Sequence, residues 1–121
     1  MIIEDDKDDQ ELLDETFRTL DYPNPVIFFS NGNDALNHLR QTSAPPVLII
    51  SDINMPKING FEIRDRIIQN PELRQLEIPF VFLSTLSQKD AADARSVSDH
   101  GFFTKPNTMK DLSNTVKTIV E

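Results

Sequence analysis

The sequence predicts an α/β fold, a doubly wound sheet of parallel strands, and two observations predict it. Short apolar runs rich in β-branched and aromatic residues recur five times along the 121 residues, and segments with helical spacing of apolar residues lie between them. The runs do not alternate with polar residues, as expected for strands that are buried on both faces. Strands that alternate with helices in this way favour a parallel sheet with helices on both sides.

The apolar runs predict five strands, at residues 2–3, 26–29, 47–50, 80–83 and 102–103. Apolar stripes predict four helices: Leu12, Leu13, Phe17 and Leu20; Leu36 and Leu39; Phe61, Ile63, Ile67 and Ile68; and Met109, Leu112, Val116, Ile119 and Val120. Residues 88–97 offer mainly alanines on their apolar face and predict a fifth, weakly held helix. Crossovers between parallel strands are right-handed, which puts successive helices on predictable sides of the sheet. We expect the flavodoxin-like (βα)5 strand order 2-1-3-4-5.

The composition fits one folded domain over residues 1–121. Hydrophobic residues make up 38% of the chain and charged residues 26%, unlike a disordered acidic tail. The chain has no cysteine, which excludes a disulfide scaffold, a cysteine-ligated metal and a cysteine nucleophile. The net charge of -8 predicts no direct binding to nucleic acid or to an anionic membrane. Short apolar runs and an acidic start predict a cytoplasmic protein without a membrane span or secretory signal.

Chemically useful side chains follow four of the predicted strands. Ligands of such sheets bind at the carboxyl ends of the strands, and there the chain places Glu4-Asp5, Asp52, Ser84-Thr85 and Lys105. If the first and third strands are neighbours, three carboxylates converge, and their mutual repulsion requires a cation. Mg²⁺ takes oxygen ligands and often shares a phosphate, so it is the natural partner. Lys105 would supply a second positive charge.

Each of these residues also has an ordinary structural interpretation. Nine of the 20 acidic residues lie in the first 21 positions, and acids after a strand often mark a helix start. The N-cap of that helix could be Asp6, Asp8 or Asp9. The other strand-end residues could be a polar turn, a strand-end hydroxyl and a solvated charge. Their conjunction at four strand ends is what favours a functional site.

Four motifs cover these strand ends. They are Ile2-Ile3-Glu4-Asp5-Asp6 with Asp8-Asp9, residues 47–56 with Asn59-Gly60-Phe61-Glu62, Ile78-Pro79 with residues 80–85, and residues 101–106. Through these motifs the sequence resembles the receiver domain of two-component response regulators over essentially the whole chain. The pattern is similar to that of single-domain chemotaxis regulators, and Glu before Asp after the first strand is similar to that of phytochrome-associated regulators.

The resemblance implies a role for each strand-end residue. Asp52 is the implied phosphoacceptor, which takes a phosphoryl group from a sensor histidine kinase or a histidine phosphotransfer protein. Lys105 is expected to pair with one phosphoryl oxygen, and Ser84 is expected to donate its hydroxyl to another. The implied Mg²⁺ ligands are Glu4, Asp5, Asp52 and the main-chain carbonyl of Asn54.

A conformational switch is implied as well. Ser84 and Lys105 would be drawn toward the phosphoryl group, and Phe102 would rotate inward, although a core aromatic is its ordinary interpretation. The face made by the helix at 88–97, the fifth strand and the last helix would then contact a downstream protein target. The domain is expected to be a monomer, or a weak homodimer through that face. The family also implies a cis bond between Lys105 and Pro106.

Two alternatives stay open. An Asp-nucleophile phosphohydrolase of the haloacid dehalogenase type needs a second acid two residues on, where this chain has Asn54, so a turnover enzyme is not expected. A degenerate receiver would bind a partner without being phosphorylated. The last apolar stripe runs to Val120 and predicts no output domain, although a piece of a longer protein would look the same. Direct binding of a target and transfer to a second histidine are both possible outputs.

Overall fold

The computed structural model describes residues 1–85 and 101–120. The strands are β1 (Ile2–Ile3), β2 (Phe28–Phe29), β3 (Ile49–Ser51), β4 (Phe80–Ser84) and β5 (Phe102–Thr104). The helices are α1 (Lys7–Thr19), α2 (Gly32–Gln41), α3 (Gly60–Gln69), α4 (Pro71–Arg74) and, after β5, α5 (Met109–Val120). The helix expected at 88–97, and with it part of the expected signalling face, lies outside the described residues.

The five strands form one parallel sheet in the order β2-β1-β3-β4-β5, which confirms the predicted fold class and strand order. Ile2 of the interior strand β1 pairs with Phe28 on one side and with Ile50 on the other. Because all five strands run in the same direction, the carboxyl ends of β1, β3, β4 and β5 meet at one edge of the sheet. The residues that follow these strands are therefore brought together by topology.

Helices cover both faces of the sheet, and successive residues of β1 and β3 point to opposite faces. Ile3 and Ile49 pack into one buried cluster with residues of α2 and α3, such as Leu36 and Ile63. The neighbouring residues of both strands pack into a second cluster with α1 and α5, whose buried members are Ile2, Leu13, Phe17, Ile50, Leu83, Leu112 and Val116. Burial on both faces explains why these runs are continuously apolar.

Polar side chains fix the starts of α1, α2 and α3. Asp6 is the N-cap of α1 and accepts a hydrogen bond from the Asp9 backbone N–H at 3.1 Å. Asn31 caps α2 in the same way. Asn59 and Glu62 form a reciprocal capping box at α3, each side chain accepting from the other's backbone N–H. Of the acids that the sequence offered as a cap for the first helix, the structure uses Asp6.

Two details differ from the sequence prediction. The third apolar stripe is followed by a separate short helix, α4, because Asn70 caps it and Pro71 stands in its first turn. The second and third strands also pair over fewer residues than predicted. On each side, β1 pairs with its neighbour through Ile2 and Ile3. Ile27 and Val47, which belong to the predicted strands but come before these pairs, are exposed.

Candidate functional site

Three carboxylates meet at the carboxyl edge of the sheet. Glu4 and Asp5 follow β1, and Asp52 follows β3, whose backbone is fixed to β1 by a 3.0 Å hydrogen bond from the Asp52 N–H to the Ile3 carbonyl. One ligand oxygen from each of the three acids lies within 4.8 Å of the others. The convergence predicted from the strand order is therefore present, and the donor set is all oxygen, as Mg²⁺ and other hard divalent cations require.

Glu4 is the most deeply placed of these acids. Its residue is 1% exposed, whereas Asp5 is exposed and Asp52 is half-buried. Its Oε2 atom is buried and has no hydrogen-bond partner among the described residues. A buried carboxylate oxygen without a partner is costly. A cation held between Glu4 and Asp5 would offset this cost, so the residues present fit a bound divalent ion.

Lys105 extends from the end of β5 into the same edge. Its ammonium group donates hydrogen bonds to three carboxylates, those of Glu4, Asp9 and Asp52. The Asp9 Oδ2 lies 3.0 Å from Nζ and the Asp52 Oδ2 lies 3.3 Å from it. The Lys105 backbone N–H donates to the Ser84 carbonyl at 2.8 Å, which fixes the end of β5 beside that of β4. No peptide bond in the described residues is cis, so the cis bond expected between Lys105 and Pro106 is wrong for this structure.

Burial and charge shift two pKa values in the site. Burial raises the pKa of the Glu4 carboxyl to about 8 from an ordinary value of 4.5; the hydrogen bond from Lys105 opposes this shift and the charge of Asp52 adds to it. Burial alone would lower the pKa of Lys105, but its hydrogen bonds to Glu4 and Asp9 and the negative charges around it raise that pKa overall. Lys105 is therefore a permanent cation, and Glu4 without a metal holds a proton more tightly than an ordinary glutamate.

The Asp52 carboxylate is oriented by its own backbone and by Lys105. Its Oδ1 accepts a 2.7 Å hydrogen bond from the Ile53 N–H, and its Oδ2 faces the ammonium group of Lys105. Helix α3 begins directly behind it. The backbone at Gly60 comes so close that a Cβ there would lie 2.3 Å from the Asp52 carbonyl oxygen. Only glycine allows this approach without displacing the backbone. Asn54, two residues further on, is exposed in the same loop.

The two residues expected to switch, Ser84 and Phe102, are both buried. Ser84 ends β4 and is fully buried beside Lys105. Phe102 is 5% exposed and packs with Ile53, Phe61 and Phe82. Phe102 thus already points into the core in this structure. The inward rotation expected on phosphorylation would start from an outward position, which this structure does not show.

The contacts of two residues in the site, Asp9 and Gln10, were not predicted from the sequence. Asp9 contacts Lys105, and the Gln10 side chain donates both to the Glu4 carbonyl and, at 3.1 Å, to the Ser30 hydroxyl. Both residues lie in the first turns of α1, where side chains lean toward the helix N-terminus. The helix start adjoins the carboxyl edge of the sheet, and these contacts depend on the helix phase, which the sequence alone did not fix.

Comparison with known proteins agrees with this geometry. The family model described as the response regulator receiver domain matches residues 1–117. The chain belongs to this family. Response regulator Rcp1 of Synechocystis sp. is 33% identical to it over 125 residues, an alignment that covers 98% of this chain and 84% of Rcp1. Together with the likeness to the phytochrome response regulator RcpA given below, this similarity confirms the sequence interpretation of a receiver like those associated with phytochromes.

Solved structures of similar receivers show the same fold. The phosphorylated cyanobacterial phytochrome response regulator RcpA aligns with a TM-score of 0.81 and 31% identity, covering 98% of this chain and 87% of that one. The Mn²⁺-bound form of Rcp1 aligns with a TM-score of 0.79 and 32% identity, covering 98% and 88%. Receiver domains are signalling modules of two-component systems that bind divalent metal and interact with histidine kinases and downstream targets. In the described parts of this receiver, no helix has the length and apolar character needed to cross a membrane.

Proposed function

We propose that this receiver accepts a phosphoryl group onto Asp52 in a Mg²⁺-dependent reaction. The donor is a phosphohistidine of a sensor histidine kinase or of a histidine phosphotransfer protein. The observation that carries the proposal is the meeting of Glu4, Asp5 and Asp52 with the Lys105 ammonium group at one edge of the sheet. With one fixed cation the acid cluster keeps an excess of negative charge, which a bound divalent ion would offset before a phosphoryl group arrives.

The transfer needs little covalent chemistry from the protein. An oxygen of the Asp52 carboxylate attacks phosphorus, the P–N bond to the donor histidine breaks, and its electron pair returns to the imidazole nitrogen. The product is an acyl phosphate on Asp52. Bound Mg²⁺ would neutralise charge on the phosphoryl oxygens. Its ligands would be Glu4, Asp5, Asp52 and the main-chain carbonyl of Asn54.

Lys105, which follows β5, and Ser84, which ends β4, both contact the phosphoryl group. Lys105 already faces the Asp52 carboxylate, and its charge offsets the negative charge that arrives with the phosphoryl group. Ser84 donates its hydroxyl to a second phosphoryl oxygen. Movement of Ser84 opens space beside the apolar cluster that contains Phe102, and Phe102 couples the site to the face around β5.

The signal then passes to a partner through that face, which includes β5 and α5. Residues 1–121 act as one receiver domain in the cytoplasm, as a monomer or as a weak homodimer. The output is either direct binding of a target protein or transfer of the phosphoryl group to a second histidine.

Incubation with acetyl phosphate and Mg²⁺, followed by intact-mass measurement, tests the proposal. We expect one added phosphoryl group with Mg²⁺ present and none when a chelator replaces it. Absence of labelling under every condition would contradict the proposal and favour a degenerate receiver that binds its partner without phosphorylation. Continuous release of phosphate from monoesters, by contrast, would favour the phosphohydrolase alternative.

The variant Asp5→Asn is expected to weaken Mg²⁺ binding by roughly 10–100-fold, by analogy with the loss of other metal-site residues. The same variant is expected to melt at a higher temperature without metal, because it removes one of the negative charges that converge at this edge of the sheet. A Mg²⁺ titration and a melt with chelator measure the two effects. The matched control is Asp8→Asn, which removes a charge from an exposed position in the first turn of α1. Unchanged Mg²⁺ affinity in Asp5→Asn would remove Asp5 from the ligand set.

A further inference from the structure

The ammonium group of Lys105 is held by carboxylates from three separate elements. Glu4 comes from the end of β1, Asp9 from the first turn of α1, and Asp52 from the end of β3. An ammonium group has three N–H donors, so these acceptors match its full capacity. The side chain of Lys105 is 13% exposed, and among its partners Asp9 is the most open to solvent, with 37% of its side chain exposed. Asp9 therefore covers the outer side of the ammonium group.

The local structure of α1 directs the Asp9 carboxylate to this position. Asp9 is the third residue of α1, and its backbone N–H is bonded to the N-cap side chain of Asp6. The equivalent residue of α3, Glu62, bonds back to the N-cap backbone and closes a capping box. The Asp9 carboxylate instead accepts a hydrogen bond from Lys105, 96 residues away in the sequence. Its partner is a residue of the site and not a group of its own helix.

Asp9 also has a different role in the proposed reaction from that of Glu4 and Asp52, the other two partners of Lys105. Glu4 belongs to the acid group that can hold a metal, and so does Asp52, which in addition receives the phosphoryl group. Both would change partners during the reaction. Asp9 is outside that group among the described residues, so its carboxylate stays available to Lys105 throughout.

We propose that Asp9 is a positioning residue, whose carboxylate holds the Lys105 ammonium group at the mouth of the site before and during phosphoryl transfer. The inference rests on the proposed function for its consequence in the reaction. A lysine side chain has four rotatable bonds, and without an outer anchor its ammonium group samples positions further from Asp52. Catalysis by charge depends on placement, and a 1 Å displacement costs up to about 100-fold in rate.

Labelling kinetics with acetyl phosphate test the consequence. At saturating Mg²⁺ and saturating donor, Asp9→Asn is expected to lower the labelling rate constant by roughly tenfold, since the amide lacks the charge that holds the ammonium group. Asp9→Glu is expected to restore most of the rate because it keeps the carboxylate. Asp8→Asn removes the same charge from the same turn, and we expect its rate to stay within about twofold of the parent. Equal rates for Asp9→Asn and Asp8→Asn would overturn the inference.

Nitrogen-15 NMR of the Lys105 ammonium group, recorded without phosphodonor, tests the positioning itself. A Lys105→Met spectrum assigns the signal. Hydrogen exchange of this group is expected to be slow in the parent and in Asp8→Asn, and at least about fivefold faster in Asp9→Asn. Unchanged exchange in Asp9→Asn would overturn the inference even if labelling slowed. If the parent chain were not labelled at all, the proposed function would fail, whereas faster exchange in Asp9→Asn would still support the anchoring of Lys105.

Discussion

Asp52→Asn is expected to abolish labelling by acetyl phosphate completely while leaving the folded domain intact. The asparagine amide has no nucleophilic oxygen to form an acyl phosphate. Its side-chain oxygen can still accept the hydrogen bond from the Ile53 N–H that orients Asp52. The exchange also removes one of the negative charges facing Lys105. We therefore expect loss of chemistry without loss of structure.

The same substitution carries a second expected effect. The charge of Asp52 contributes to the raised pKa of Glu4, so Asp52→Asn lowers that pKa and relieves repulsion in the metal-free site. The free energy of unfolding with chelator is expected to rise by about 1 kcal/mol at pH 8.

Intact mass, denaturant unfolding and an Asp8→Asn control measure these effects together. The control variant is expected to label like the parent and to unfold like it. Residual labelling of Asp52→Asn at the parent's rate would move the phosphoacceptor to another residue. A loss of labelling together with a collapsed unfolding transition would show damage to the fold and would not support the assigned role.

The sequence was sufficient to predict where the site lies because its logic is topological. Each acid or base that follows a buried strand is carried to the same edge if the strands are parallel, and the alternation of strands with helices predicts a parallel sheet. Glu4, Asp5, Asp52 and Lys105 could thus be grouped without any coordinates. Their roles in phosphoryl transfer came from the resemblance to the family, and those roles stay proposals.

Contacts that depend on helix phase and loop geometry could not be predicted in this way. Three acids after Asp5 were each suitable as N-cap, and only the extended backbone at Asp6, with φ -81° and ψ 121°, selects one of them. With Asp6 as the N-cap, Asp9 lies on the face of α1 that is next to Lys105. The short helix α4 was missed because four residues are too few to form an apolar stripe. Its cap, Asn70, lies directly between α3 and α4 and was not recognised as the start of a second helix.

Lys105→Met is expected to destabilise the metal-free domain strongly at alkaline pH and only weakly at acidic pH. Methionine keeps most of the apolar stem of lysine but not its charge. The buried Glu4 then loses its hydrogen-bonded cation, and breaking such a buried pair costs about 3–5 kcal/mol. Because the ammonium group is partly exposed, we expect the lower end of that range at pH 8.5. At pH 5 Glu4 is largely protonated, and we expect a loss of roughly 1 kcal/mol.

The pH dependence follows from the pKa of Glu4. In the folded parent that pKa is raised to about 8 from 4.5, so the folded state binds the proton more tightly than the unfolded chain does. The stability that this contributes is complete below pH 4.5 and is lost as the pH rises through about 8. Lys105 lowers the Glu4 pKa, so its removal moves the Glu4 pKa higher and deepens the loss. The raised pKa of Lys105 itself adds no slope across this window, because the group stays protonated.

Urea unfolding with chelator at pH 5 and pH 8.5 measures this difference, and a second substitution separates its causes. Glu4→Gln removes the buried acid, so the double variant Glu4→Gln with Lys105→Met is expected to regain most of the stability lost at pH 8.5. Arg18→Met is the control, because it removes a cation from the exposed Arg18–Asp14 pair, where the expected change is within about 0.5 kcal/mol at either pH. An equal loss for Lys105→Met at both pH values would contradict a buried Glu4 as its cause. So would a double variant that is no more stable than Lys105→Met alone, since the cost would then lie in the lysine's packing and not in the charge that it leaves unpaired.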